Sequence, residues 1–177
     1  PNADPVRKVT IIPRGMSGGH TSFLAEDRSI YTRSQFKDML ATFLAGHVAE
    51  NLIFSEMTTG GSDDIKRSTA LARRMVTDYG MSDKLGPRTF GDKQELIFLG
   101  REISEQRDYS EKVAKIIDEE VDKLIYHASQ VAKKILTDNR EKLTQIAQAL
   151  IIRETLEGVE LEALFNGTQQ PAAPQPP

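Results

Sequence analysis

The sequence contains no cysteine, which excludes disulfide bonds and thiolate metal sites. It also lacks an apolar run that approaches the roughly 20 residues needed to cross a bilayer. The opening stretch "PNADPVRKV" does not have the form of a signal peptide. Because these features are missing, hydrophobic periodicity is the main guide to the fold of the 177 residues.

An excess of one charge sign is also missing. The net charge is −3 with 28% charged residues, and neither sign dominates a long run. Binding to nucleic acid requires a basic face, so the composition argues against nucleic acid as a partner. The length fits one domain with a small appendage. Residues 167–177, "GTQQPAAPQPP", are predicted to be a disordered, proline-rich tail.

The clearest β signal lies near the N-terminus. "VRKVTIIPRG" and "GGHTSFLAED" are β-branched or alternating stretches joined by glycines, which predicts a hairpin over Val6–Leu24. The rest of the chain has helical periodicity, apart from a glycine-rich loop over residues 81–102. The predicted fold class is therefore mainly α, with one small β-hairpin near the N-terminus.

Capping residues predict where the helices begin and end. We expect a first helix from a cap at Thr32 to about Phe54, and a second from Ser62 or Asp63 to the stop at Gly80. The remaining predictions are a long helix from near Ser110 to about Leu136, another capped by Thr137 or Asp138, and a short last helix "VELEALF" after Gly158.

A pair of carboxylates, Asp63 and Asp64, lies where the loop "TTGGS" turns into the second helix. An acid at this place satisfies free backbone N–H groups and interacts well with the helix dipole, so capping is one explanation. The other is that one of the two is a metal ligand. Residue chemistry alone treats the two aspartates as interchangeable.

His47 and Glu50 are three residues apart, which places them on one face of the first helix. Such a pair can hold a metal in helix bundles, although an ordinary polar contact is the commoner explanation. The sequence has no Gly-x-Ser-x-Gly motif and no phosphate-binding loop. His20 and His127 do not have metal-ligand spacing and are interpreted as ordinary surface or core-edge residues.

Several stretches together resemble one family. "DPVRKVTIIPRG", "TTGGSDDIKRSTALARRMVTDYGMSDKLGP", "IFLGRE", "IIDEEV" and "LTDNREKL" follow in the order and spacing of the FtsH-type, ATP-dependent zinc metalloproteases. The resemblance covers roughly Pro1 to Phe165. It implies that residues 1–166 are the C-terminal part of a mainly helical zinc peptidase domain.

The resemblance also implies properties of the whole protein. In this family the peptidase domain lies beneath an AAA+ ATPase ring, which uses ATP, and the protein is a homo-hexamer. Transmembrane segments anchor it, with the peptidase domain in the cytoplasm or the equivalent compartment of an organelle. The substrates are unfolded or membrane-extracted proteins.

The family's zinc is held by two histidines of a His-Glu-x-x-His helix and by one downstream aspartate, and the glutamate between the histidines is the general base. The resemblance places that aspartate on Asp64, while Asp63 falls where relatives have asparagine and remains a capping residue. Glu50 matches an acid that supports the ligands without binding the metal.

The sequence departs from the family pattern at His47, where relatives usually have arginine, and at Asn51 and Gly61. The largest departure is that His-Glu-x-x-His occurs nowhere in the 177 residues, although the family carries it just before the region matched by Pro1. Two of three zinc ligands and the catalytic glutamate are missing, so we assign no catalytic residue within this chain. We expect an N-terminally truncated peptidase domain that is inactive alone and holds no stoichiometric zinc.

An alternative interpretation is a non-catalytic helical assembly module that kept the family fold as a scaffold. Under the protease interpretation, the exposed edge of the Val6–Leu24 hairpin is expected to pair with an extended substrate strand, because backbone groups then supply affinity without sequence preference.

Overall fold

The computed structural model describes residues 1–13, 18–24, 29–91 and 109–166. The chain divides into two compact units. We call Pro1–Asn2 with Tyr31–Lys134 the helical unit, and Ala3–Ile30 with Ile135–Pro177 the sheet unit. In chain order the elements are β1 Val6–Thr10, β2 His20–Phe23, α1 Arg33–Phe54, a short 3-10 turn Thr59–Gly61, α2 Ser62–Thr77, α3 Glu111–Asp138, α4 Arg140–Arg153, β3 Thr155–Glu157 and α5 Gly158–Asn166.

The mainly α fold class is confirmed, since helices dominate the described residues and strands contribute only one small sheet. No helix among the described residues is long and apolar enough to cross a membrane. The loop predicted over residues 81–102 is confirmed for residues 81–91. The remainder of that prediction, with "IFLGRE" and the proline-rich tail, lies outside the described residues.

Helix α1 begins and ends where the sequence predicts. The Oγ1 atom of Thr32 accepts a hydrogen bond from the N–H of Gln35 at 3.2 Å, and Oε1 of Gln35 accepts one from the N–H of Thr32 at 2.8 Å. This reciprocal capping box satisfies two donors that the first helical turn leaves free. The helix ends at Phe54, where Ser55 adopts a left-handed conformation.

The core of the helical unit is built from one face each of α1, α2 and α3. Leu40 and Met75 are completely buried at its centre. A second cluster lies around Ile117 and Val76, where Phe90 from the following loop packs against them. Gly80 ends the turn after α2 at φ +60°, and a Cβ there would lie 2.9 Å from the Cα of Pro87, so only glycine fits.

The sheet unit contains one more strand than the sequence predicts. The predicted hairpin is confirmed as the antiparallel pair of β1 and β2, but β3 adds to the other side of β1, giving the order β2-β1-β3. The hydroxyls of Thr10 and Thr155 are 2.8 Å apart across the added ladder. Leu150, Leu156 and Leu161 form the core beneath it.

The predicted caps of the fourth helix are wrong. Helix α3 continues through Thr137 to Asp138, and α4 begins at Arg140 after Asn139. The Asn139 side chain donates to the carbonyl of Ile135 at 2.8 Å and so covers the end of α3 rather than the start of α4. Thr137 and Asp138 are therefore part of the last turn of α3, although both residue types are good helix caps.

A paired contact joins the start of α1 to the loop after α2. Nη1 and Nη2 of Arg33 donate to the two carboxylate oxygens of Asp83 at 2.8 and 2.9 Å. The hydrogen bond from Arg33 lowers the pKa of Asp83 below its ordinary value. The folded chain thus keeps Asp83 ionised more readily than the unfolded chain does.

We expect this pair to contribute stability above the unfolded-state pKa of about 3.9 and to lose it as the pH falls through the lower folded-state value. The Asp83→Asn variant should therefore show a shallower loss of melting temperature than the parent between about pH 6 and pH 3. Thermal unfolding followed by circular dichroism measures the slope. Asp118→Asn is the matched control, because its carboxylate lies farther from its partner among the described residues, at 3.8 Å from Arg73. Equal slopes for the parent and Asp83→Asn would contradict the prediction.

Candidate functional site

The two residues assigned to a zinc site by the resemblance lie in the helical unit. Glu50 is in the last turn of α1 and Asp64 is in the first turn of α2. The intervening residues 55–61 return the chain toward α1, and the 3-10 turn packs on both helices. The structure thus brings the two predicted residues onto neighbouring elements of one unit.

Glu50 fixes the turn that leads into α2. Its Oε2 atom accepts from the N–H of Thr58 at 3.0 Å, and its Oε1 atom accepts from the Thr58 hydroxyl at 3.0 Å. Oγ1 of Thr58 in turn accepts from the N–H of Gly60 at 3.1 Å. A carboxylate acceptor strengthens such bonds. Glu50 therefore acts on the backbone before Asp64 through Thr58.

His47 lies one turn before Glu50 and faces the same segment. A Cβ built on Gly61 would lie 3.8 Å from the Cβ of His47, so the backbone of the turn passes close to this helix face. The Nδ1 atom of His47 is buried and has no hydrogen-bond partner among the described residues. His47 therefore lies beside the turn at Gly61.

The two aspartates have different surroundings. The Asp63 side chain is 88% exposed, and its Oδ1 atom lies 3.5 Å from Nζ of Lys66. The Asp64 side chain is 49% exposed, and its Oδ1 atom lies 3.6 Å from Nη1 of Arg67. Asp63 thus points into solvent, whereas Asp64 is partly enclosed and still accessible.

The prediction that Asp63 caps α2 is wrong. The N-cap position falls on Gly61, and no side chain makes a capping hydrogen bond there. The 3-10 turn leads directly into the helix, so both aspartates lie within the first helical turn. They interact there with the helix dipole, while the capping hydroxyl is that of Thr58 one turn earlier.

A carboxylate such as Asp64 is a suitable zinc ligand, and its half-exposed position leaves it accessible. A catalytic zinc site nevertheless requires about three protein ligands. Among the residues that the structure describes, no three histidine, aspartate or glutamate side chains converge into a metal-binding group. Asp64 therefore fits as one ligand of a site that these residues do not complete, and no catalytic step follows from them alone.

Two residues that contact the site were not singled out from the sequence. Thr58 connects Glu50 to the turn, and Arg67 pairs with Asp64. A threonine two residues before a glycine is a recognisable turn cap, and a basic residue three positions after an acid on a helix is a recognisable pair. Both patterns are present in the sequence. They occur in many proteins, however, and only the packing of the turn against α1 shows that these two residues lie at the candidate site.

Comparison with known proteins adds a separate line of evidence. The model of peptidase family M41 matches residues 1–164. The chain is 58% identical over 167 residues to ATP-dependent zinc metalloprotease FtsH 1 of Thermomicrobium roseum, and 56% identical over 167 residues to FtsH 1 of Sphaerobacter thermophilus. Each alignment covers 94% of this chain and 26% of the relative. The chain therefore spans about a quarter of the length of these curated relatives.

Proposed function

The chain belongs to peptidase family M41, and from this premise we propose that it forms part of the peptidase domain of an FtsH-type, ATP-dependent zinc metalloendopeptidase. The observation that carries the proposal is the position of Asp64. Its carboxylate is half-exposed at the start of α2, and the turn before it is held by hydrogen bonds from Thr58 to Glu50.

In the intact protein, Asp64 supplies one carboxylate ligand to zinc, and histidines absent from these 177 residues supply the others. Zinc in such a site lowers the pKa of water and polarises the scissile carbonyl. Glu50 does not bind the metal. It stabilises the turn that leads to Asp64, which agrees with the role of groups that orient metal ligands from outside the coordination sphere.

The names of the relatives support the parts of the proposal that concern zinc and ATP. The relatives are named ATP-dependent zinc metalloproteases, and we propose that an ATPase module outside these 177 residues supplies the ATP dependence of the intact protein. We propose that the intact protein is a membrane-anchored homo-hexamer with its peptidase domain in the cytoplasm or an equivalent organelle compartment. Its substrates are unfolded or membrane-extracted proteins.

We also propose that substrate pairs with the outer edge of β2. In the sheet order β2-β1-β3, the central strand β1 has a neighbour on both sides and β2 has one described neighbour. Strand addition at such an edge uses backbone hydrogen bonds, which suits the degradation of many different sequences.

The 177-residue chain is expected to be inactive on its own. Purified chain should cleave no unfolded protein and hold far less than one zinc per molecule, because one carboxylate does not retain zinc against solvent. Atomic absorption and a fluorescent-casein assay measure the two quantities, with the intact protease as the positive control. One tightly bound zinc per isolated chain would contradict the assignment of the missing ligands.

The alternative, a non-catalytic assembly module, makes a different prediction for the whole protein. An intact protein without an ATPase module and a His-Glu-x-x-His helix before residue 1 would support the scaffold. Their presence together with zinc-dependent hydrolysis of an unfolded substrate would support the protease.

A further inference from the structure

One face of α1 contacts the following segment at three successive places. Phe43, His47 and Glu50 are spaced by four and three residues, which places them in a row along the helix. Glu50 holds Thr58, and His47 lies against Gly61. The third contact, between Phe43 and Arg67, reaches past the turn into α2 itself.

Arg67 connects this row to the proposed zinc ligand. Its guanidinium carbon lies 4.3 Å from the centre of the Phe43 ring, a distance typical of a cation–π contact. From that position its Nη1 atom lies 3.6 Å from Oδ1 of Asp64. The ring thus packs against the guanidinium, and the guanidinium forms an ion pair with the carboxylate without a direct hydrogen bond.

From this geometry we propose that Arg67 is a positioning residue for the metal site. It holds one oxygen of Asp64 so that the carboxylate keeps a fixed orientation toward the metal. This inference rests on the proposed function, because it assumes that Asp64 is a zinc ligand. Groups that orient a ligand in this way typically change metal affinity or activity by about 10- to 100-fold when they are removed.

The adjacent residue gives a matched control. Lys66 has the same charge, lies on the same helical turn and also pairs with an aspartate, Asp63, at 3.5 Å. That pair is more exposed, with side-chain exposures of 77% and 88%. Lys66→Met and Arg67→Met therefore remove equal charge from the same helix, but only Arg67→Met removes the ion pair with Asp64.

The experiment measures the zinc dissociation constant of the intact protease by competition with a chelator, together with kcat and KM for an unfolded protein. We expect Arg67→Met to weaken zinc binding about tenfold and to lower kcat at subsaturating zinc, with KM unchanged. Lys66→Met should leave zinc binding unchanged. Arg67→Lys should restore part of the affinity, because it keeps the charge but loses the planar guanidinium.

A second variant keeps the test informative if Arg67→Met does not fold. Phe43→Leu removes the ring beneath the guanidinium and should weaken zinc binding in the same direction, by a smaller factor. Equal zinc affinities for Arg67→Met and Lys66→Met, or tighter binding by Arg67→Met, would overturn the inference. Asp64→Asn separates this failure from that of the proposed function: if Asp64→Asn also binds zinc normally, Asp64 is not a ligand at all.

Discussion

Asp64→Asn is expected to abolish proteolysis by the intact enzyme, whereas Asp63→Asn should leave most of the activity. The two substitutions make the same chemical change at adjacent positions on one helical turn. Loss of a group that only orients a ligand costs about 10- to 100-fold, so loss of a ligand should cost more than about 100-fold. Asp63 is 88% exposed, and its partner among the described residues is Lys66 at 3.5 Å, an arrangement worth at most about 1 kcal/mol.

The rates of hydrolysis of an unfolded substrate and the zinc content per chain together test this prediction. Asp64→Asn should lose both the activity and the metal, as expected when a metal ligand is removed. Asp63→Asn should keep both, within about threefold in rate. If the two variants lost activity equally, the assignment of different roles to the two aspartates would be wrong.

The two aspartates show which features of the candidate site can be predicted from residue types alone. The sequence indicates that both acids lie at a loop–helix junction, and the structure places both in the first turn of α2. Periodicity does not reveal that the turn before them is fixed by Glu50, eight residues from Thr58 along the chain. That contact depends on the packing of the 3-10 turn against α1, which local propensity does not encode.

Helix α1 was predictable because its signals are local. The Thr32 and Gln35 capping box lies within one turn, and the buried residues Phe36, Leu40, Leu44 and Val48 recur at helical spacing. By contrast, β3 has only three residues, too few for an alternating pattern. Its strand conformation comes from pairing with β1, whose Thr10 is 145 residues away from Thr155. A non-local pairing of this kind leaves almost no trace in a short window of sequence.

At the start of α4 the sequence predicts a helix boundary that the structure does not have. Thr137 and Asp138 are good N-caps by residue type, but both lie inside α3. Residue preference at a helix end is worth only about 1 kcal/mol, so it does not decide a boundary when the preceding helix continues favourably. The break falls one residue later, at Asn139, where the side chain bonds back to the Ile135 carbonyl.

Leu40→Ala should be the most destabilising single truncation within α1. Leu40 has no exposed surface and lies in the cluster that joins α1 to α2 and α3, next to Phe36, Leu44 and Met75. Removal of a buried leucine side chain costs the transfer free energy of the lost atoms and the energy of the cavity, together about 2–5 kcal/mol. This is a large share of the stability of a domain, which is typically about 5–15 kcal/mol.

Phe54→Ala is the control on the same helix. It removes a larger side chain, but Phe54 is 74% exposed at the end of α1, so the expected change is within about 0.5 kcal/mol. Urea unfolding followed by circular dichroism gives both free energies. If stability depended on the amount of apolar surface removed from the chain, Phe54→Ala would be the more damaging variant. If stability depends on burial in the α1–α2–α3 core, as the packing of Leu40 indicates, Leu40→Ala is the more damaging variant. Equal losses of unfolding free energy in the two variants would contradict the placement of that core.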